Sequence, residues 1–144
     1  MLRGILLAVA VLSFNFLGHA LRGQLDPRTR LELGLKMKIG VVSDTHGLYR
    51  PQVAQALGGV ERILHLGDVG KPSVLEELAK IAPVTAVRGN VDRSGPCSEL
   101  PETGVVLIAD RYVYMLHDLN TLHLDPAAGK FAAVLFGHSH VPNF

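Results

Sequence analysis

Seven residues able to offer oxygen or nitrogen to a metal stand just after apolar runs. Asp44 and His46 follow residues 39–43, Asp68 follows 62–66, Asn90 follows 84–87, His117 follows 112–116, and His138 and His140 follow 132–136. Taken singly these are weak signals, because a lone histidine after a strand is more often a surface or satisfied core residue than a ligand. Their repeated position carries the information. In open α/β sheets ligands bind in the crevice outside the C-terminal ends of the strands, so donors on that edge would converge on one place. Gly67, Gly89 and Gly137 directly precede Asp68, Asn90 and His138, and glycine lets the backbone turn sharply or approach a ligand where the donor is presented. Mixed carboxylate, carboxamide and imidazole donors suit Mn²⁺, Fe or Zn²⁺ rather than Ca²⁺.

The elements that must position these donors are legible from apolar periodicity. Residues 39–43, 62–66 and 84–87 read as short buried strands. Pro51 can open a helix that runs to about Leu57, where Gly58-Gly59 stops it. Pro72-Ser73 opens a second, in which Val74, Leu75, Leu78 and Ile81 form one apolar face until Pro83 breaks it. Strand, helix, strand, helix, strand is the order of a parallel sheet covered by helices. The pattern then changes: residues 105–109 and 112–116, separated by Asp110-Arg111, predict a hairpin and antiparallel pairing, and 132–136 a last strand. The expected class is α/β with mixed sheets. There is no internal repeat and no low-complexity segment.

Composition narrows the field further. A chain of 144 residues suits one domain, and a formal net charge of +1 gives no surplus from which to infer a partner. Lysine and arginine fall singly, without the basic stripe of a nucleic-acid binder. Cys97 is the single cysteine and cannot make an internal disulfide. Residues 1–36 differ from the rest. Arg3 is followed by an apolar run over 5–17, broken only by Ser13 and Asn15, and then by Gly18-His19-Ala20, the outline of a signal peptide. The run is short for a membrane span, which needs about 20 apolar residues. A competing reading starts at Met37, where Met37-Lys38-Ile39-Gly40-Val41-Val42 looks like a chain beginning directly with its first strand. This second reading has the greater weight, so the expectation is a leader or upstream-start segment over 1–36, a domain over 37–144, no required membrane partner and a cytoplasmic location. Export is the alternative if residues 1–20 act as a signal peptide.

Asp44-Thr45-His46, Gly67-Asp68, Gly89-Asn90-Val91-Asp92, His117 and Gly137-His138-Ser139-His140 resemble the successive motifs of calcineurin-like metallophosphoesterases, most closely those of the small single-domain bacterial and archaeal phosphodiesterase branch. The resemblance runs from Met37 to the C-terminus. It implies a two-sheet α/β/β/α sandwich and two divalent metal ions, with Mn preferred and Fe, Zn, Ni or Mg as alternatives. It also implies a small phosphate-ester substrate, most simply a phosphodiester cleaved by a hydroxide that the metal pair activates. By the same resemblance Asp44, His46 and His140 hold one metal, Asn90, His117 and His138 the other, and Asp68 bridges both. The catalytic residues it points to are Asp68, Asn90, Asp92 and His117. Asp92 either orients a neighbouring ligand or is a turn residue after Asn90.

Two departures from the family pattern bear on activity. Many relatives carry histidine after the Gly-Asn pair, where it can protonate the leaving oxygen; here the position is Val91. The family commonly shows His-Gly-His where this chain has His117-Asp118-Leu119-Asn120. Relatives also continue through further strands after the last motif, so the resemblance implies a domain incomplete at its C-terminus. The rival readings are a catalytically impaired fragment and a protein-binding scaffold of the same fold. A scaffold predicts lost ligands, whereas all seven donors are present. Among the other residues, His65 reads as packed in the core or behind the ligands, His19 and His123 as solvent-facing, and Arg93 as a surface arginine in a loop, with contact to a substrate phosphate as its alternative. Tyr49 and Arg50 read as packing residues.

Overall fold

In the computed structural model, which describes residues 10–13 and 37–140, the apolar runs become the strands of two sheets. In chain order the elements are β1 (Ala10–Ser13), β2 (Lys38–Val42), α1 (Pro51–Ala56), β3 (Arg62–Leu66), α2 (Pro72–Ala79), β4 (Val84–Val87), β5 (Thr103–Ile108), β6 (Arg111–Leu116) and β7 (Ala133–Leu135). Short 3₁₀ turns lie at Asn90–Asp92, Pro96–Glu99 and Leu119–Thr121. The first sheet has the order β1-β2-β3-β4 and the second β5-β6-β7. β2, β3 and β4 are parallel neighbours, as strands joined by helical crossovers must be. Both helices begin with proline, whose missing N–H is not needed in the first turn.

β1 falls within the apolar run that reads as a leader and pairs antiparallel with β2 on the edge of the first sheet. The rest of residues 1–36 lies outside the described residues, as do residues 141–144. Among the described residues no helix is long and apolar enough to cross a membrane.

Alternation along the strands sends successive side chains to opposite faces, and this builds two cores. On one face of the first sheet Val42 and Ile63 pack with Val53 from α1, Leu57 just after it, and Val74 and Leu78 from α2. On the other, Ile39, Val41, Leu64, Leu66 and Val87 meet Val106, Ile108, Val113 and Met115 of the second sheet. The result is helices on sheet on sheet. The outer face of the second sheet carries Val105, Leu107 and Tyr112, each more than half exposed, and among the described residues no helix covers it. Three of the four layers expected are therefore described.

The hairpin differs by one residue from its expected turn. Ile108 pairs with Arg111, so the connecting residues are Ala109 and Asp110 rather than Asp110 and Arg111. Their φ angles are 46° and 69°, the left-handed pair of a two-residue turn whose twist matches the flanking strands. Aspartate tolerates that region well, and the shift adds the Ile108 and Arg111 pair to the ladder.

Candidate metal centre

The donors are placed by main-chain bonds that continue the strand pairing past the strand ends. The Asp44 N–H donates to the Gly67 carbonyl at 3.0 Å, that of His46 to Asp68 at 2.9 Å, and that of Gly47 to Val69 at 2.7 Å. The Gly137 N–H donates to the His117 carbonyl at 3.0 Å, which ties the loop after β7 to the end of β6. Five of the expected ligands have left-handed backbone: Asp44 (57°), His46 (48°), Asp68 (54°), His138 (66°) and His140 (51°). That region costs a non-glycine residue roughly 1–2 kcal/mol, and such residues cluster at functional sites, where the surroundings hold them in place. Close approach explains two of the glycines. A Cβ at Gly89 would strike Oδ1 of Asp68, and one at Gly137 would strike Oγ of Ser43 and Oδ2 of Asp44.

The side chains gather into two groups. In the first, ligand atoms of Asp44, His46 and His140 lie within 4.8 Å of one another. His140 Nε2 is 3.5 Å from Asp44 Oδ1, and the His46 and His140 rings stack with centroids 5.8 Å apart. In the second group, Asn90 Oδ1 is 3.1 Å from His117 Nε2 and 3.0 Å from His138 Nδ1, and those two nitrogens are 3.3 Å apart. Asp68 stands between the groups. Its Oδ1 is 3.4 Å from His117 Nε2 and its Oδ2 is 3.9 Å from His46 Nε2.

The electrostatics of the centre call for a cation. Asp44 and Asp68 are both buried, and Asp44 Oδ1 accepts no hydrogen bond. A buried anionic oxygen that accepts no hydrogen bond is costly, and a divalent ion held by Asp44 would relieve it. Burial works to raise the Asp68 pKa, but bonds from His117 and the Val91 N–H outweigh it and hold the carboxyl below its ordinary value. Burial likewise works to lower the His117 pKa, and the Asp68 carboxylate and Leu66 carbonyl outweigh it in the upward direction. His117 Nδ1 lies 2.7 Å from the Leu66 carbonyl, which can only accept. The Nδ1–H is therefore fixed there, and in the neutral ring the Nε2 lone pair faces the other donors.

Five residues around the donors differ in role. Asp92, expected to orient a ligand or to serve as a turn residue, uses both carboxylate oxygens on main-chain N–H groups: those of Val69 at 2.9 Å, Gly70 at 2.8 Å and Gly89 at 2.9 Å. It acts on the loops that carry Asp68 and Asn90, so it is a positioning residue. Thr45 donates to the Val69 carbonyl at 3.1 Å, so at 3.0 Å its oxygen accepts from His65 Nε2. His65 is thus packed behind the ligands, and burial pushes its pKa down to about 4. Val91 is 44% exposed; its side chain offers no proton, while its N–H donates to Asp68 Oδ1 at 3.0 Å. Asn120 places its main-chain and side-chain N–H groups on Asp118 Oδ1 at 3.0 and 2.9 Å.

A cleft of about 480 Å³ adjoins the second group, lined by Asn90, His117 and His138 together with Arg93, Tyr114 and His123. From the sequence His123 reads as solvent-facing, and Arg93 as a surface arginine with contact to a substrate phosphate as the alternative. They are exposed, but on the walls of this cleft. For Arg93 a signal was present in its spacing of three residues from Asn90; for His123 the sequence holds none.

Residues 37–144 match the family described as the calcineurin-like phosphoesterase superfamily domain. A protein of Methanothermobacter thermautotrophicus named "Probable metallophosphoesterase" is 36% identical over 121 residues, covering 74% of this chain and 68% of its own length. A protein of Methanocaldococcus jannaschii with a corresponding name is 33% identical over 134 residues, covering 87% and 70%. Among solved structures, Vacuolar Protein Sorting 29 from Cryptosporidium parvum superposes with a TM-score of 0.59 at 20% identity, covering 73% of this chain and 66% of that one. A predicted phosphoesterase from Streptococcus pneumoniae gives 0.53 at 25% identity, covering 73% and 63%. The chain thus spans less than two thirds of the length of these solved chains, and the likeness to Vacuolar Protein Sorting 29 shows the fold alone. The family match over residues 37–144 and the two archaeal relatives above 30% identity establish that the chain belongs to the calcineurin-like phosphoesterase superfamily.

Proposed function

We propose that this chain is a metal-dependent phosphoesterase that hydrolyses small phosphodiesters at a dinuclear centre. Asp44, His46 and His140 would hold one divalent cation, Asn90, His117 and His138 the other, and the Asp68 carboxylate would serve both; Mn²⁺ is the preferred ion. The observation that carries the reading is the position of Asp68, whose two oxygens face the two donor groups separately, at 3.4 Å from His117 and 3.9 Å from His46. Paired divalent cations, when bound, lower the pKa of a water and neutralise charge on the phosphoryl oxygens during in-line displacement.

The remaining work falls to the chain itself. The bond from Nδ1 to the Leu66 carbonyl keeps the His117 ring in the orientation and tautomer a ligand needs. Asn90 contributes a neutral oxygen and adds no negative charge against an incoming phosphate. Asp92 holds the Asp68 and Asn90 loops against each other through the Val69, Gly70 and Gly89 N–H groups. Valine at position 91 can donate no proton, so the leaving oxygen takes one from water or from another residue.

The test is metal analysis of the purified protein together with a diesterase assay. Wild-type protein is expected to carry two ions and to hydrolyse an aryl phosphodiester. Asp68→Asn is expected to lose metal and activity together. Two ions retained with undiminished activity in Asp68→Asn would overturn the bridging role and the dinuclear reading with it.

A further inference from the structure

The cleft of about 480 Å³ beside Asn90, His117 and His138 has the size of a small-molecule site, which runs from about 300 to 1,000 Å³. Its charged groups are not equally available. Arg88 is committed to the Ser98 carbonyl at 2.9 Å and to Glu102 at 2.6 Å. The Asp118 carboxylate holds the two Asn120 N–H groups at 3.0 and 2.9 Å. Arg93 also lines the cleft, and among the described residues its guanidinium has neither ion pair nor hydrogen bond.

The backbone explains why Arg93 is there. Asn90–Asp92 is a 3₁₀ turn, and Arg93 closes it with φ −69° and ψ −11°. Residues three apart in a 3₁₀ helix eclipse one another, so Asn90 and Arg93 leave the same side of the turn. Asp92 anchors that turn through the Gly89 N–H and, across to the neighbouring loop, through those of Val69 and Gly70. One fixed piece of backbone therefore presents Asn90 to His117 and His138 and carries a free cation into the adjoining cleft. Tyr114 and Leu124 supply apolar wall.

We infer that Arg93 and this cleft form a second anion subsite, which takes a phosphomonoester group on the organic arm of the substrate. The preferred substrates are then phosphodiesters that carry an additional phosphomonoester group, for which phosphorylated nucleotide esters serve as probes. The inference rests on the phosphodiesterase reading of the metal centre. A guanidinium meets a phosphate with two parallel N–H bonds. The formal charges of Arg88, Arg93, Glu102 and Asp118 cancel across the cleft, so the attraction is local to Arg93 and not a field of the whole recess. One charge-assisted contact of that kind gives a preference of about tenfold rather than a thousandfold.

The experiment compares thymidine 5′-(p-nitrophenyl phosphate) with and without a 3′-phosphate, using Mn²⁺-loaded wild type, Arg93→Gln and Arg93→Lys. Wild type is expected to favour the 3′-phosphorylated ester by about tenfold in kcat/KM, expressed in KM. In Arg93→Gln the ratio falls to near one, and Arg93→Lys retains part of it. Calorimetry with thymidine 3′,5′-bisphosphate and thymidine 5′-monophosphate measures the same preference without turnover. Equal use of both esters by wild type, or a preference that survives in Arg93→Gln, overturns the subsite. If neither ester is hydrolysed but the bisphosphate binds more tightly in an Arg93-dependent way, the subsite stands and the diesterase reading falls. No hydrolysis together with equal binding of the two nucleotides would defeat both.

Discussion

Asp92 touches no donor side chain among the described residues, yet three main-chain N–H groups converge on its buried carboxylate. Removing the acceptor leaves those donors without a partner, and each hydrogen bond to a charged group is worth about 1.5–3 kcal/mol. Asp92→Ala is therefore expected to destabilise the metal-free protein by about 4–5 kcal/mol or more in urea unfolding, more than Asp92→Asn, which keeps one acceptor oxygen. Val91 supports a kinetic prediction. Without an acid at that position, turnover should depend steeply on the leaving group, so diesters of acidic phenols should react far faster than alkyl diesters. A flat dependence across a leaving-group series, with chemistry rate-limiting, would mean that another residue supplies the proton. His65 supports a thermodynamic one. Its pKa lies near 4 in the folded protein against an ordinary 6.5. Between those values the unfolded chain binds the proton and the folded chain does not. The His65 contribution to stability is thus complete above pH 6.5, falls as the pH drops from 6.5 to 4, and is lost below. The loss amounts to roughly 3 kcal/mol. In metal-free protein, His65→Gln should show a shallower decline of unfolding free energy over that window than wild type.

At the scale of elements, periodicity and punctuation were sufficient for most of the fold. β3 and β4 occupy the expected residues 62–66 and 84–87, and both helices start at their prolines. The hairpin turn moved because pairing maximises the ladder: register places Ile108 opposite Arg111, which local composition does not encode. The cost is alanine at a left-handed position, φ 46° for Ala109. Glycine removes roughly 1–2 kcal/mol of that strain and returns part of it as unfolded-state entropy. Ala109→Gly is therefore expected to stabilise the protein by about 0.5–1 kcal/mol, read as a higher urea midpoint with unchanged slope.

At the scale of the whole molecule, the donors follow β2, β3 and β4 of one sheet and β6 and β7 of the other. Ions bound there join the two sheets at one edge. Because a cation that binds the folded state alone stabilises it by mass action, Mn²⁺ at a hundredfold excess over its Kd should add about 2.7 kcal/mol per site. Scanning calorimetry is expected to show Tm rising with added Mn²⁺ and returning on chelation, with a blunted rise in Asp68→Asn. An unchanged Tm over a wide range of Mn²⁺ would contradict a metal centre in this position.

What the sequence by itself determined was local: which segments are strands or helices, where glycine and proline interrupt them, and that donor residues recur at strand ends. Those properties depend on neighbours a few positions away. The division of the donors into two metal groups came from resemblance to a family, not from spacing. The folded chain is what brings His117 and His138 to Asn90 across sequence separations of 27 and 48 residues. The burial of His65 was legible in the alternation of its strand, whereas tertiary structure decided the work of Asp92 and the exposure of Arg93 on a cleft wall. Both of these depend on where a side chain points after two sheets have stacked, and no nearest-neighbour pattern encodes that direction.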